Sequence, residues 1–133
     1  MKYEQVAQER KGGQMTYLIT PVPKPRQTRS DKWKNRPSVL RYRDFADTCR
    51  AAGIEVATGG DHIIFIMPMP PSWTKKKKTQ FAGKPHTLRP DVDNLLKALL
   101  DAVYDDDSAV WDIRVSKTWG YSGAIQILRE VGL

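Results

Sequence analysis

The sequence predicts a single mixed α/β (α+β) domain, a small mixed β-sheet of about four strands with two main helices, in the order β-α-β-α-β-β. Three observations predict it. With 133 residues and 40% apolar content there is material for one core and not two. Two segments repeat apolar residues at helical spacing, and four others are β-branched or alternating runs bounded by Gly and Pro.

Residues 1–14 lack apolar periodicity and are broken by Gly12-Gly13, so they read as a mobile arm ahead of a domain over 15–133. Met15 to Thr20, "MTYLIT", reads as the first strand. Prolines at 21, 23, 25 and 37 make the next stretch an extended loop, because Pro gives a ladder no N–H. Ser38 reads as the N-cap of a helix over about 39–52, carried by Val39, Tyr42, Phe45, Ala46 and Cys49 and stopped by Gly53. His62 to Met69, "HIIFIMPM", is a nearly unbroken apolar run, the pattern of a central strand. Ser72 to Leu88 is polar, basic and aperiodic, and reads as a long loop. Leu95, Leu96, Leu99, Leu100 and Val103 stripe a second helix from about Asp93 to Tyr104. "VWDIRVSKTWG" and "GAIQILREV" alternate, and read as an antiparallel pair turned at Gly120 to Gly123.

Composition removes several classes of function. No stretch approaches the ~20 apolar residues of a membrane helix. The charged start "MKYEQVAQERKGG" has no apolar signal region, so a cytoplasmic protein is expected. Cys49 is the single cysteine, which excludes an internal disulfide and a cysteine zinc site. The charge, +7 overall, is unevenly spread: residues 1–90 balance to +11 and residues 91–133 to −4. The basic part suits a polyanion. The acidic part would repel one unless a cation intervened.

The acids sit in "RPDVDNLLKALLDAVYDDDSAVWD". Asp91 and Asp93 fall at the start of the second helix, where capping and the helix dipole alone would favour carboxylates. Asp105, Asp106 and Asp107 follow the helix end, where the dipole favours cations instead. A straight helix of this length separates the two groups by ~18 Å at 1.5 Å per residue. They meet only if the chain folds back or if different subunits contribute. An all-oxygen set suits Mg²⁺, with Mn²⁺ as substitute, rather than Zn²⁺. It is not an EF-hand, since counting from Asp105 the glycine of position six is missing and Ser116 stands where the glutamate belongs. Lys97, one turn after Asp93, is placed either to assist at a phosphate or to make an ordinary i, i+4 pair. A metal held by carboxylates inside a basic surface is the arrangement that phosphodiester hydrolysis requires.

Lys24 to Arg43 holds eight cations and one anion, and "TKKKK" adds four lysines before Lys84, His86 and Arg89. Two such runs of one sign favour a phosphate-backbone surface made by Lys24, Arg26, Arg29, Lys32, Lys34, Arg36, Lys75, Lys76, Lys77, Lys78, Lys84, His86 and Arg89. Trp33 or Trp73 offers a ring for an unpaired base, against packing as the plainer role. A non-catalytic DNA-binding protein and a flap nuclease are the competing readings, separable by response to EDTA and by substrate competition.

The stretches "TPVPKPRQTRSDKW", "MPMPPSWTKKKK", "GKPH", "RPDVDNLLKALLDAVYDDD" and "RVSKTWG" together resemble the RusA family of Holliday junction resolvases, notably the forms of Gram-positive bacteria and their phages. The resemblance implies metal-binding catalytic aspartates at Asp91, Asp93 and Asp107, with Asp106 the alternative to the last, and an auxiliary lysine at Lys97. It implies a homodimer that binds four-way DNA junctions and nicks two opposed strands with Mg²⁺ or Mn²⁺. Where relatives carry glutamine two residues beyond the last acid, this chain has Ala109.

Overall fold

The computed structural model describes residues 6–26 and 36–129. Five strands form one mixed sheet: β1 (Gln8–Lys11), β2 (Gln14–Tyr17), β3 (Gly59–Pro68), β4 (Asp112–Gly120) and β5 (Ala124–Arg129). Three α-helices accompany them: α1 (Pro37–Ala52), α2 (Lys75–Phe81) and α3 (Val92–Val103). The mixed single-domain α/β class agrees with the sequence reading.

The spatial order is β1-β2-β5-β3-β4, so β3 lies between β4, its parallel neighbour, and β5, its antiparallel one. This corrects the expected β4–β5 hairpin. The two strands alternate and are joined by a short glycine-bearing turn, yet they flank β3 instead of pairing. The apolar β3 is the reason: Ile63, Phe65 and Met67 are buried on one face, and both backbone edges of such a strand gain from a ladder. Residues 121–123 cross the end of β3. A side chain at Gly120 would collide with Ile66, and one at Gly123 with Thr20.

The segment expected to be an arm contains β1, which pairs with β2 through a two-residue Gly12-Gly13 turn. Gly12 takes φ +60°, the left-handed conformation that primed hairpin turns require at their first central residue. Helix α1 starts earlier than Ser38 suggested. Arg36 is its N-cap without a side-chain bond and Pro37 is its first residue, where a missing N–H costs nothing. It ends as expected at Gly53 (φ +68°), whose N–H bonds Arg50 O while Ile54 N–H bonds Cys49 O, a Schellman arrangement. The lysine run, expected as loop, forms α2, capped by Thr74 Oγ1 accepting from Lys77 N.

Helices α1 and α3 share the core with the sheet. Leu95, Ala98 and Leu99 of α3 and Cys49 of α1 are fully buried and meet Ile63, Phe65 and Ile125. The helix pair is also stitched by polar contacts: Arg50 Nε donates to Ala102 O at 2.9 Å, and Tyr42 Oη to Asp101 Oδ2 at 3.0 Å. No helix among the described residues is long and apolar enough to cross a membrane.

Candidate active site

The site begins where a strap is fastened along the outer edge of β4. Gly83 N–H donates to Trp119 O at 2.8 Å, Trp119 N–H to Lys84 O at 2.9 Å, and His86 N–H to Lys117 O at 3.0 Å. From there the chain passes through a cis Arg89–Pro90 peptide into α3. Asp91 is the N-cap residue of α3, but its side chain makes no capping hydrogen bond. The capping explanation for that carboxylate therefore does not apply. Asp91 instead lines an open cleft of about 870 Å³ together with Lys24, Arg26, Met67, Arg89 and Asn94. Three cations and one carboxylate thus share one concave surface.

Asp93 is exposed in the first turn of α3, and Lys97 follows one turn on. Lys97 does not pair with Asp93. Its ammonium donates to Asp107 Oδ2 at 3.1 Å and stands 3.6 Å from Asp101 Oδ1. The fold-back that this demands begins at Tyr104, which ends α3 in an extended conformation and whose hydroxyl donates to Val56 O. A 3₁₀ turn over Asp107–Ala109 then reverses the chain, capped by Asp106, whose carboxylate accepts from Ser108 N–H at 3.0 Å. Asp106 is occupied with the turn, and Asp107 is the acid that faces α3. An acid ten residues further along the sequence, Asp107, is thus brought beside Lys97. Among the described residues, no three His, Cys, Asp or Glu side chains stand close enough to hold a metal ion between them.

Asp101 is the side chain that sequence reasoning left without a role. It accepts from Lys24 Nζ at 2.8 Å and from Tyr42 Oη at 3.0 Å, besides facing Lys97. Burial would raise its pKa, yet these donors, Lys24 foremost, hold it below the ordinary aspartate value. Burial and the adjacent carboxylate push Tyr42 up to about 12. Lys97 is raised by its bond to Asp107 and by the charge of Asp101, so it stays an ammonium. The i, i+4, i+8 spacing of Asp93, Lys97 and Asp101 was the available signal. Nothing in the sequence announced that Tyr42 and Lys24 would converge on the last of them.

The expected basic surface divides. Arg26 and Arg89 are exposed on the cleft, and Lys75, Lys76 and Lys84 are exposed nearer the strap. Lys77 lies 4.2 Å above the Trp73 ring, and Trp73 packs in turn on Phe81 and Trp119, so this Trp serves packing. Lys78 is half-buried, and Arg36 donates to Arg26 O at 2.7 Å. Lys24 is on the cleft wall but committed to Asp101, with its N–H on Asn94 O at 3.1 Å. His86 must be removed from the phosphate-binding set. It is 6% exposed and packed at a tilt against Trp119, with ring centroids 4.2 Å apart. Arg29, Lys32, Trp33 and Lys34 lie outside the described residues.

A family model described as endodeoxyribonuclease RusA matches residues 19–128. The chain belongs to the RusA endodeoxyribonuclease family. The RusA match takes in the cleft, α3, the acidic turn and the strap, and leaves out β1 and β2. A curated relative, the uncharacterized protein YqaN of Bacillus subtilis (strain 168), is 38% identical over 73 residues, covering 48% of this chain and 51% of that protein. The chain therefore spans about half the length of the curated relative it matches.

Proposed function

We propose that this RusA-family chain is a Mg²⁺-dependent, structure-selective endonuclease that resolves four-way DNA junctions by paired nicks. The observation that carries the reading is Asp91, a helix-start carboxylate not used for capping, on a cleft wall shared with Lys24, Arg26 and Arg89. Asp93, two residues on, and Asp107, paired with Lys97, carry further oxygen donors of the kind a hard divalent ion takes. Magnesium is commonly held by only one or two carboxylates, with waters and substrate phosphate completing the set, so a preformed three-acid cage is not required. Asp91, Asp93 and Asp107 would hold the metal, with Mn²⁺ as substitute. When bound, it would activate water and neutralise charge on the scissile phosphate.

The protein's own groups do the rest. Arg26 and Arg89, with Lys75, Lys76 and Lys84 further along, hold the phosphate backbone and orient it over the acids. Lys97, kept protonated by Asp101 and Asp107, places a positive charge where a phosphate oxygen develops negative charge. A two-fold dimer would present two such sites to a symmetric junction, which suits paired cutting. The substrate places this work in the bacterial cytoplasm, on host or phage DNA.

The test is a labelled synthetic junction incubated with protein and resolved on a denaturing gel, with Mg²⁺ or with EDTA. Paired nicks are expected with Mg²⁺ alone, and Asp93→Asn should bind the junction without nicking it. Nicking that survives EDTA, or full activity in Asp93→Asn, would overturn the proposal.

A further inference from the structure

We propose that Lys117 is a positioning residue of this site, acting through the backbone that leads into Asp91. The strap is pinned to β4 by main-chain bonds only as far as His86. Thr87, Leu88 and Arg89 are then exposed and belong to no regular element. A chain so placed would wander, since nothing apolar holds it. Lys117 reaches across this gap. Its ammonium donates to Leu88 O at 2.6 Å and to Pro90 O at 2.7 Å. Both are short, as charge-assisted bonds are.

The two carbonyls straddle Arg89 and end one residue before Asp91, so one ammonium fixes the approach of both cleft residues. Its own anchor is firm. Lys117 is paired in register with Phe65 of β3, which is fully buried. Strand alternation puts Lys117 on the same face as Val115 and Trp119, both packed against the core. Its bonds to Leu88 O and Pro90 O go to carbonyls rather than to a carboxylate, so its charge is left in place. That charge contributes to the lowered pKa of His86, after burial. The arrangement orders the acid-bearing turn against the sheet, in advance of any ligand.

The inference rests on the nuclease reading for its effect on rate, and on the fold alone for its effect on the strap. Two readouts therefore serve. Lys117→Met keeps the aliphatic stem and deletes the donor, and Lys117→Arg keeps a cation. In Lys117→Met, amides of residues 87–93 should exchange with solvent faster, while those of β3 and β5 are unchanged. Junction binding should hold, and nicking at saturating junction should fall about 10- to 100-fold, the penalty for a reacting group displaced on the order of 1 Å. Lys117→Arg should recover part of both the protection and the rate. Unchanged exchange over 87–93 in Lys117→Met would overturn the inference, as would a loss confined to binding. If Lys117→Met does not fold, Lys117→Arg decides: wild-type rate with unprotected 87–93 amides overturns it. A wild-type protein that nicks no junction refutes the nuclease reading, and the exchange comparison still decides the clamp.

Discussion

Asp101 shows how much one carboxylate can organise. It is partly buried, receives Lys24, Tyr42 and Lys97, and draws together the proline-rich loop, α1 and α3. Replacing it by Asn keeps an acceptor for Tyr42 but removes the charge that both lysines face. Hydrogen bonds to charged groups are worth about 1.5–3 kcal/mol each, and Asn retains some of this, so Asp101→Asn should cost about 2 kcal/mol in urea unfolding. The cost should shrink on acidification. The folded pKa of Asp101 is depressed, so its contribution is present above the ordinary value of about 3.9 and fades as pH falls through the folded one. Lys97 offers a cleaner functional probe because it is exposed and holds up nothing apolar. Lys97→Met should lower saturating nicking about 100-fold or more, with junction binding little changed, as expected for a charge used in the transition state. At this scale the sequence shows where the acids cluster and hides what their side chains meet. Asp91, Asp93, Lys97 and the run Asp105 to Asp107 stand out by type and spacing, and only the resemblance points to Asp107 within that run. Tyr42 reads as an ordinary apolar-stripe residue, and Lys117 as one cation in an alternating strand, because their bonds depend on tertiary placement.

The elements tell a parallel story. Long segments were legible: α3 has a stripe sharp enough to place within a residue of either end, and β3 announces its burial. Helix α2 was not, since seven residues make only two turns and its four lysines have no periodicity. Its docking depends on Phe81 packing on Trp73 and Trp73 on Trp119, which local sequence does not reveal. Strand order was also hidden, because alternation and turn glycines look the same in a hairpin and in a connection that steps over a third strand. The β3–β5 pairing carries its own signature in Asp61 and Arg129, which face each other in register and bond at 2.9 and 3.0 Å. Burial pushes Asp61 up, but Arg129 and the Ala57 N–H more than offset this and leave its pKa lowered. The pair therefore stabilises above about pH 4, and its contribution is lost below as the folded pKa is crossed. Arg129→Met strands a buried carboxylate and should cost about 3 kcal/mol at neutral pH. Its Asp61 would then titrate above the unfolded value, so the deficit should shrink as pH falls from 7 toward 4. Urea midpoints across that range would show it, and a deficit independent of pH would count against the pairing.

At the scale of the molecule the governing fact is the division of charge, +11 over residues 1–90 against −4 beyond. The fold keeps the two signs adjacent without letting them cancel. Lys24 is drawn into Asp101 and Lys97 into Asp107, whereas Arg26, Arg89, Lys75 and Lys76 keep exposed side chains. Junction binding should therefore be driven by counterion release and cleavage by the acids, and the two should come apart under salt. For B-form DNA the logarithm of affinity falls with the logarithm of salt at a slope of about −0.9 per phosphate neutralised. The double variant Lys75→Ala/Lys76→Ala should flatten that slope by about two, if each lysine meets one phosphate. Its rate at saturating junction should be unaffected, because saturation makes up for the weaker binding. Asp93→Asn should do the reverse, leaving the slope alone and abolishing the rate, while removal of one negative charge tightens binding at low salt. Filter binding from about 50 to 200 mM salt, with EDTA present to prevent cleavage, separates these outcomes because exposed-charge effects change most over that interval. A slope unchanged by the double lysine replacement would move the DNA contact off α2 and confine it to the cleft around Arg26 and Arg89.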